Sequence, residues 1–356
     1  MATLTPRENL RRLWRREGFE FVPVQFDLCP AMVEKFQAKY GADRSYEEVF
    51  QFPWRAVTTE LFVQPFSAWR EKFYPECEFL PGTWFDRFGI GHEPTPESMH
   101  MTRMYHPMEK FSRLEEFEQF PFPEVTAGEA LKAEVAAIQR RGLAATAYMA
   151  VTIWETGWYL RGMENLMMDM LTDEPGAYFL FDRITELAVK RSAVYAGAGV
   201  DHIHLGDDIG MQSTPMMSLE LYRKWLKPRL QRVIAAAKEI NPDVLISYHS
   251  CGFVLPFIDD LLEVGIDILN PVQPECMDFA EIHRRFGDRL SFWGTLGTQT
   301  TLPKGTPEEV YDVVQRNLRI AGPQGGLLAA PTHLVEPEVP WENMEAYVAA
   351  CREFRF

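Results

Sequence analysis

Asp243-Val244-Leu245-Ile246-Ser247-Tyr248-His249-Ser250-Cys251-Gly252 joins an apolar run to a polar end that carries two side chains able to bind a metal. The run predicts a buried strand, which Gly252 ends. Because residues two apart on a strand point to the same side, His249 and Cys251 are predicted to face one site. Imidazole and thiolate are ligands that zinc prefers, so this strand end is a candidate zinc site. The alternative is a chance occurrence of a short pattern, with the cysteine buried as a small apolar residue.

Six further apolar runs alternate with helical stretches along the chain, at residues 21–26, 143–151, 200–205, 266–269, 290–293 and 325–330. This alternation predicts an α/β protein with a parallel sheet. Seven or eight such units without a GxGxxG motif favour a single (β/α)8 TIM barrel over a dinucleotide-binding sheet. We therefore expect one domain, residues 1–356, whose strand C-terminal ends line one mouth. The aromatic-rich segment from about 51 to 123 is predicted to be an insertion after the first strand that lies near the barrel mouth.

The net charge and the cysteine content indicate which kinds of partner the protein binds and in which cellular compartment it lies. The formal charge of 36 − 51 = −15 argues against nucleic acid or an anionic membrane as the main partner. Five cysteines, odd in number and widely spaced, show no disulfide framework. The N-terminal residues lack the apolar core of a signal peptide, and no window approaches the ~18 unbroken apolar residues of a membrane span. We therefore expect a cytoplasmic protein with no membrane partner; its oligomeric state stays open, with a homodimer as one option.

A third metal ligand is predicted at His333, which follows the last predicted strand. Because all strands of a barrel end at one mouth, His333 can meet His249 and Cys251 there. The alternative is a histidine that hydrogen-bonds a substrate or a loop. His202 and His204 lie inside a predicted strand instead, and are expected to be core residues of the barrel.

Two adjacent acids, Asp207 and Asp208, lie between Gly206 and Gly210 after another predicted strand. Glycine permits close backbone approach, so one acid can point into the mouth while the other caps a turn. The functional interpretations are a metal ligand, a group that supports one, or a proton-transfer group. The alternative is a loop cap with an ion pair. Gln212, which lies close by, is a predicted cofactor contact.

Residues after two other strands complete the predicted mouth. Glu155 is the most plausible fourth metal ligand, or else pairs with Arg161. Trp154, beside it, is predicted to contact the cofactor. Asp27 follows the first predicted strand and is expected to enter the mouth as a catalytic acid.

Several segments together resemble the uroporphyrinogen decarboxylase superfamily. They are Arg161-Gly162-Met163-Glu164-Asn165, Gly206-Asp207-Asp208-Ile209-Gly210, His249-Ser250-Cys251-Gly252, and residues 302–309 and 340–343. The resemblance runs from about residue 20 to 354 and is more specific in the last two thirds. It implies a single TIM barrel with its site at the C-terminal mouth.

Within that superfamily, the sequence is more similar to the zinc-dependent methylcobamide:thiol methyltransferases of the coenzyme M type. True uroporphyrinogen decarboxylases carry an arginine-rich R-Q-A-G-R motif near the N-terminus, whereas residues 23–30 here contain no arginine. Substrate carboxylates would be poorly held without it, since arginine binds carboxylates in a bidentate manner. The resemblance implies His249 and Cys251 as zinc ligands, with His333 standing where those enzymes have a cysteine.

The resemblance therefore implies a zinc-dependent methyltransferase that moves a methyl group between a corrinoid protein and a thiol or tetrahydrofolate acceptor, in one-carbon metabolism or O-demethylation. Zn²⁺ and a corrinoid (methylcobamide) on a partner protein are the expected cofactors. Four acids are expected to orient ligands or transfer protons: Asp207, Asp208, Glu155 and Asp27. One alternative is a metal-free, uroporphyrinogen decarboxylase-like carboxy-lyase of tetrapyrrole metabolism. Another is a non-catalytic protein that binds a corrinoid or tetrapyrrole.

Overall fold

The computed structural model describes residues 4–95 and 102–356. Strands and helices alternate through most of this range. The strands, numbered along the chain, are β1 (Trp54–Ala56), β2 (Phe62–Val63), β3 (Trp84–Phe85), β4 (Gly91–Pro94), β5 (Thr102–Tyr105), β6 (Glu124–Val125), β7 (Ala144–Ala150), β8 (His202–Gly206), β9 (Leu245–His249), β10 (Ile268–Asn270), β11 (Ser291–Trp293) and β12 (Leu327–Leu328).

The helices differ widely in length, and a 3-10 turn (Leu255–Phe257) precedes one of them. They are α1 (Pro6–Arg15), α2 (Pro30–Tyr40), α3 (Tyr46–Val49), α4 (Trp69–Phe73), α5 (Leu114–Glu118), α6 (Leu131–Arg140), α7 (Trp154–Arg161), α8 (Met163–Leu171), α9 (Pro175–Ala198), α10 (Leu219–Trp225), α11 (Lys227–Ile240), α12 (Ile258–Glu263), α13 (Phe279–Phe286), α14 (Thr301–Lys304), α15 (Pro307–Ala321) and α16 (Trp341–Glu353). Among the described residues, none of the helices combines the length and the apolar character needed to cross a bilayer.

Seven strands form one parallel sheet in the order β1-β7-β8-β9-β10-β11-β12. Neighbours in this sheet are mostly consecutive along the chain, with helices between them, as βαβ units require. This arrangement confirms the predicted α/β class and the parallel sheet. The register aligns three strand ends, because Gly206 pairs with His249 and His249 pairs with Asn270.

The sheet separates two buried clusters. Successive residues of a strand contact opposite clusters: Phe292 packs with the larger one, and Trp293 packs with the smaller one. The smaller cluster also contains Leu10, Leu13 and Trp14 of α1. Helix α1 therefore packs against the face of the sheet that the smaller cluster covers, and its Arg11 and Arg15 contact Asp201 and Asp243, just before β8 and β9.

The prediction of a first strand at residues 21–26 is wrong. That segment forms no strand, and the edge strand of the sheet is β1, which has only three residues. Residues 22–26 are all buried, and the side chains that cover them include the Phe52 ring, 5.0 Å from that of Phe26. Leu28 then makes a parallel bridge to Val335, beyond β12. The extended segment thus lies between the two edges of the sheet, where the prediction of eight units places a strand.

Two small antiparallel sheets, β2-β6 and β3-β4-β5, form between β1 and β7. Aromatic side chains of this part of the chain pack on one another, for example Trp69 with Phe73 and Phe120. Strand β1 belongs to the main sheet, so the first residues of the predicted insertion (about 51–123) are part of the central architecture. That the remainder is an insertion stays a prediction.

Candidate active site

The candidate site is built by three adjacent strands that end at the same level. Strand β9 ends at His249, and its neighbours β8 and β10 end at Gly206 and Asn270. Strand C-terminal ends are where α/β proteins place their chemistry. Gly206 permits the close approach of β8 to β9, since a Cβ there would lie 2.7 Å from the Cβ of His249. Gly252, at φ +84°, lets the next loop turn against the Met211 carbonyl oxygen, which a Cβ would meet at 2.6 Å.

Asp208, His249 and Cys251 form a cluster in which one ligand atom of each lies within 4.8 Å of the others. The His249 Nε2 lies 3.6 Å from the Cys251 Sγ and 3.7 Å from the Asp208 Oδ1. The backbone N–H of Cys251 donates to the Asp208 Oδ1 at 2.8 Å, which fixes the carboxylate beside the thiol. Nitrogen, sulfur and carboxylate oxygen are the ligand types of zinc sites, so these side chains fit that ion.

The imidazole of His249 is oriented by Asn270. The Asn270 amide nitrogen donates to the Trp293 carbonyl oxygen at 2.8 Å, so its Oδ1 faces His249 as an acceptor. The His249 Nδ1 lies 2.6 Å from that Oδ1 and therefore carries the proton. This tautomer leaves Nε2 with a free lone pair toward Cys251 and Asp208, the arrangement common to metal-binding histidines.

Ionisation of the Cys251 thiol is unfavourable in the absence of a cation. Burial raises the pKa of this thiol, and the Asp208 and Glu155 carboxylates raise it further. A divalent cation reverses this balance, since ligation requires the thiolate and the cation offsets the surrounding negative charge. The donor set therefore fits a bound metal in its charge as well as in its geometry.

His333 lies at the edge of this cluster. Its ring centroid is 6.3 Å from that of His249. Asp208 instead joins His249 and Cys251 in the compact group. The prediction that His333 is the third metal ligand stays a prediction, and Asp208 is a further candidate for that position.

Asp207 has a different role from its neighbour Asp208. Its carboxylate is buried and accepts from the backbone N–H groups of Ile153, at 3.0 Å, and Glu155, at 2.9 Å. It therefore caps the start of α7, while Asp208 faces the mouth. Burial raises the pKa of Asp207 to about 7. The two acids divide their tasks in the way that the glycine-bracketed pattern predicts, and a catalytic role for Asp207 stays a prediction.

Glu155 lies behind the cluster. Its Oε2 accepts from the backbone N–H of Asp208 at 3.3 Å, and its Oε1 accepts from the Tyr159 hydroxyl at 3.2 Å. Burial raises the pKa of Glu155 to about 8, with contributions from the two neighbouring aspartates. The alternative that Glu155 pairs with Arg161 is wrong, because that guanidinium pairs with Asp169 at 2.8 Å.

The two predicted cofactor contacts have different environments. The Trp154 indole is fully buried, and its Nε1 donates to the Met216 sulfur at 3.3 Å. It packs in the core, and its predicted contact with the cofactor stays a prediction. Gln212 is exposed, lies at the mouth and hydrogen-bonds Gln299 at 3.3 Å.

Two cavities meet at the cluster. Cys251 lines one of about 500 Å³, which Gln212 also borders, and His249 lines the other, of about 370 Å³. His333 lines both. Asp27 opens into the smaller cavity, where it accepts from the Gln25 amide at 3.1 Å, and burial raises its pKa. The predicted mouth residues His249, Cys251, His333, Gln212 and Asp27 thus share one cleft.

His202 and His204 are buried, which confirms that they are core residues. Each hydrogen-bonds the Ser247 hydroxyl, at 2.7 and 2.6 Å. Burial lowers the pKa of His202 to about 3 and that of His204 well below its usual value. His204 also lines the smaller cavity, with its ring 5.8 Å from that of His249. The His204 imidazole that borders the smaller cavity is therefore uncharged near neutral pH.

One known protein family matches the part of the sequence that forms most of the central sheet. The family described as Uroporphyrinogen decarboxylase (URO-D) matches residues 107–354, which is more than half of the chain. The matched range contains β7 to β12 and all three members of the cluster.

Curated relatives are similar over a shorter range. A methylated-thiol–coenzyme M methyltransferase of Methanosarcina mazei is 28% identical over 201 residues, 55% of this chain and 49% of the relative. A methylcobamide:CoM methyltransferase of Methanosarcina barkeri is 29% identical over 179 residues, 49% of each chain. The chain thus spans about half the length of the curated relatives it matches.

A solved structure extends the likeness to the whole fold. A methyltransferase from Methanosarcina mazei superimposes with a TM-score of 0.68 at 19% identity, covering 98% of this chain and 99% of that one. At this identity the likeness shows a common fold, which includes the curled parallel sheet.

Proposed function

Since the chain belongs to the uroporphyrinogen decarboxylase (URO-D) family, we propose that it is a zinc-dependent methyltransferase that acts with a corrinoid protein. The observation that carries the proposal is the cluster of Asp208, His249 and Cys251 at the mouth. The names of the relatives, which specify methylcobamide and coenzyme M as reactants, supply the reaction class. A thiol or tetrahydrofolate is the proposed acceptor.

In this proposal His249 and Cys251 hold the zinc ion, and Asp208 or His333 completes the set. Zinc would supply Lewis acidity that favours the deprotonated form of an acceptor thiol. Asn270 keeps the Nε2 of His249 available for binding through its 2.6 Å contact with Nδ1. The backbone N–H of Cys251 restrains Asp208 beside the same position.

Glu155 is the proposed proton acceptor for the reaction. It contacts the backbone of Asp208, and its pKa, raised to about 8, makes its ionised form a stronger base than an ordinary carboxylate. Tyr159 donates to its other oxygen and so fixes the direction in which the carboxyl group faces. Glu155 can therefore take up the proton that an acceptor thiol gives up.

The test is the zinc content of the full-length protein, measured by plasma mass spectrometry after purification without chelator. We expect about one zinc ion per chain in wild type and its loss in Cys251→Ser. Cys77→Ser is the matched control, because Cys77 is exposed and distant in sequence from the cluster. His333→Ala and Asp208→Ala identify the third ligand, since only the true ligand should be needed for full zinc content.

Methyl transfer is measured in parallel as demethylation of free methylcobalamin with coenzyme M or tetrahydrofolate as acceptor. We expect activity to be lost with zinc in Cys251→Ser and kept in Cys77→Ser. Wild type that binds no zinc after reconstitution would contradict the proposal. Such a protein should then be assayed for loss of carboxyl groups from uroporphyrinogen, the reaction of a metal-free decarboxylase.

A further inference from the structure

A third cavity, of about 450 Å³, lies between the chain around β2–β4 and the ends of β7 and α7. Neither the zinc ligands nor the acids of the proposed reaction line it. Its walls include five aromatic side chains, and two arginines line it, Arg87 and Arg191, the second of which enters from α9. The lining residues that matter here are Phe62, Trp84, Phe88, Tyr148, Tyr159 and Arg191.

Arg191 brings an unneutralised positive charge to this cavity. Its Nε is buried without a hydrogen-bond partner, and its Nη2 donates to the Tyr148 carbonyl oxygen at 3.4 Å. In the parts of the chain that the structure describes, no acidic side chain forms an ion pair with it. The nearby Glu60 pairs instead with Arg87, at 2.8 Å. The side chain is partly exposed, and its desolvated Nε has no acceptor, so an anion that enters the cavity can pair with this guanidinium favourably.

The acid in the same cavity does not supply that counter-charge. One carboxylate oxygen of Asp86 accepts from the backbone N–H groups of Phe88, at 2.8 Å, and Ile90, at 3.0 Å. Its other oxygen faces the His92 ring at 3.6 Å. Asp86 is therefore engaged in its own turn, and the charge of Arg191 stays available.

The aromatic walls suit a planar ring. Trp84 is 53% exposed although it lines a cavity, and its ring stacks on that of His92, with 4.2 Å between centroids and 16° between planes. The guanidinium of Arg191 lies 4.7 Å from the centroid of Phe62. Aromatic side chains attract ring systems by offset and edge contacts, so a ligand ring can pack against these walls.

This cavity continues into the candidate active site. Tyr148 and Ala150 line it and also line the cavity that contains His249 and His333. A ligand anchored at Arg191 can thus extend past Tyr148 toward the metal-binding cluster. This continuity makes the cavity a part of the reaction cleft.

We propose that this cavity binds the methyl acceptor of the reaction, and that this acceptor carries an aromatic ring with a carboxylate, as a folate does. Its carboxylate pairs with Arg191, and its ring lies against Trp84. The role of this ligand in the reaction rests on the proposed methyl transfer. Its binding depends only on the walls of the cavity. A simple aromatic acid and a folate, which carries an aminobenzoyl group with carboxylates, share this chemistry.

The test is isothermal titration of the full-length protein with matched probes. The charged aromatic probes are 4-methoxybenzoate and tetrahydrofolate. Methoxybenzene lacks the carboxylate, and cyclohexanecarboxylate lacks the ring. We expect at least one charged aromatic probe to bind about tenfold or more tightly than both incomplete probes, because a charge-assisted hydrogen bond and an aromatic contact are each lost in one of them. Which aromatic probe binds identifies the source.

Variants test the two contacts separately. Arg191→Gln should weaken binding of the charged aromatic probe about 10- to 100-fold and leave methoxybenzene unaffected. Arg183→Gln is the matched control, because Arg183 lies on the same helix but pairs with Glu186 at 3.1 Å. Trp84→Ala should weaken binding severalfold without a folding defect, since this indole is half exposed.

Two outcomes would overturn the inference: wild type that binds neither charged aromatic probe more tightly than its incomplete analogues, or Arg191→Gln that binds them as tightly as wild type. The binding needs no zinc and no methyl donor. Arg191-dependent binding by a protein that transfers no methyl group would contradict the proposed function and leave the site standing. Methyl transfer to tetrahydrofolate that is unchanged in Arg191→Gln would show that the bound molecule is not the acceptor, and the proposed function would stand.

Discussion

At the scale of single residues, the contact between Asn270 and His249 controls how the imidazole faces the cluster. The Nδ1 to Oδ1 distance is 2.6 Å, and Asn270 is itself fixed by the Trp293 carbonyl oxygen. Removing the amide frees the ring to rotate and removes the preference for the tautomer with a proton on Nδ1. Asn270→Ala should therefore weaken zinc binding by about 10- to 100-fold. Competition with a chelator of known affinity measures this change.

Asn165→Ala is the control for that variant. The Asn165 amide donates to the Glu109 carbonyl oxygen at 3.2 Å, outside the cluster, so zinc affinity should not change. Equal zinc affinity in wild type and Asn270→Ala would show that the contact does not orient the ligand.

The sequence predicts the residues of the cluster better than it predicts those that support them. Asp208, His249 and Cys251 follow apolar runs that pair as neighbouring strands, so their convergence follows from sheet order. Asn270 was missed, although it follows the apolar run 266–269, because one amide after a strand has no distinctive pattern. Arg191 was missed because it lies within α9, and only the packing of a distant segment makes its charge relevant.

At the scale of elements, Asp207 joins the end of β8 to the start of α7. The N–H groups of Ile153 and Glu155 both depend on its carboxylate. Asp207→Ala leaves these buried donors without an acceptor, so the free energy of unfolding should fall by roughly 2–4 kcal/mol. Urea denaturation at pH 7 measures the loss.

Asp278→Ala provides the comparison. Asp278 caps α13 with one hydrogen bond to the Glu281 N–H, at 2.8 Å, in an exposed position. Its loss should cost about 1 kcal/mol. A loss for Asp207→Ala no larger than this would mean that water replaces the carboxylate and that the connection between β8 and α7 is not a major contribution to stability.

An apolar run predicts a strand correctly where its buried residues also pair with a neighbouring strand. It predicts a strand wrongly where side chains alone bury the run. Strands β7, β8 and β9 lie in the interior of the sheet, so both faces of each are covered and each appears as an apolar run. Residues 21–26 have the same pattern, but aromatic side chains, not a strand ladder, bury them. Strand β1 is three residues long and includes Arg55, which an apolar pattern does not detect.

At the scale of the whole molecule, the buried imidazoles make stability depend on pH. Burial lowers the pKa of His202 from 6.5 to about 3 in the folded protein. Between these values the unfolded chain binds a proton that the folded protein does not, so stability is complete above about pH 6.5 and falls as the pH decreases. At pH 3 this difference in protonation lowers the free energy of unfolding by roughly 4–5 kcal/mol. Urea denaturation at intervals between pH 7 and pH 4 measures the slope.

His202→Gln should flatten this slope, because glutamine keeps a hydrogen-bonding group near Ser247 and does not titrate. His283→Gln should flatten it less, since His283 is half-buried on α13 and its charge can be partly solvated. Parallel stability curves for wild type and His202→Gln would assign the acid sensitivity to other groups.

The contacts between the two ends of the chain have a consequence for biosynthesis. The backbone N–H of Gln25 donates to the Tyr347 hydroxyl across 322 residues of sequence. Leu28 likewise has its bridge partner at Val335. While a ribosome makes this chain, Val22, Val24 and Phe26 emerge long before Val335 and Tyr347 do. In that interval the apolar segment lacks its final covering, and it is a natural binding site for chaperones that hold nascent chains.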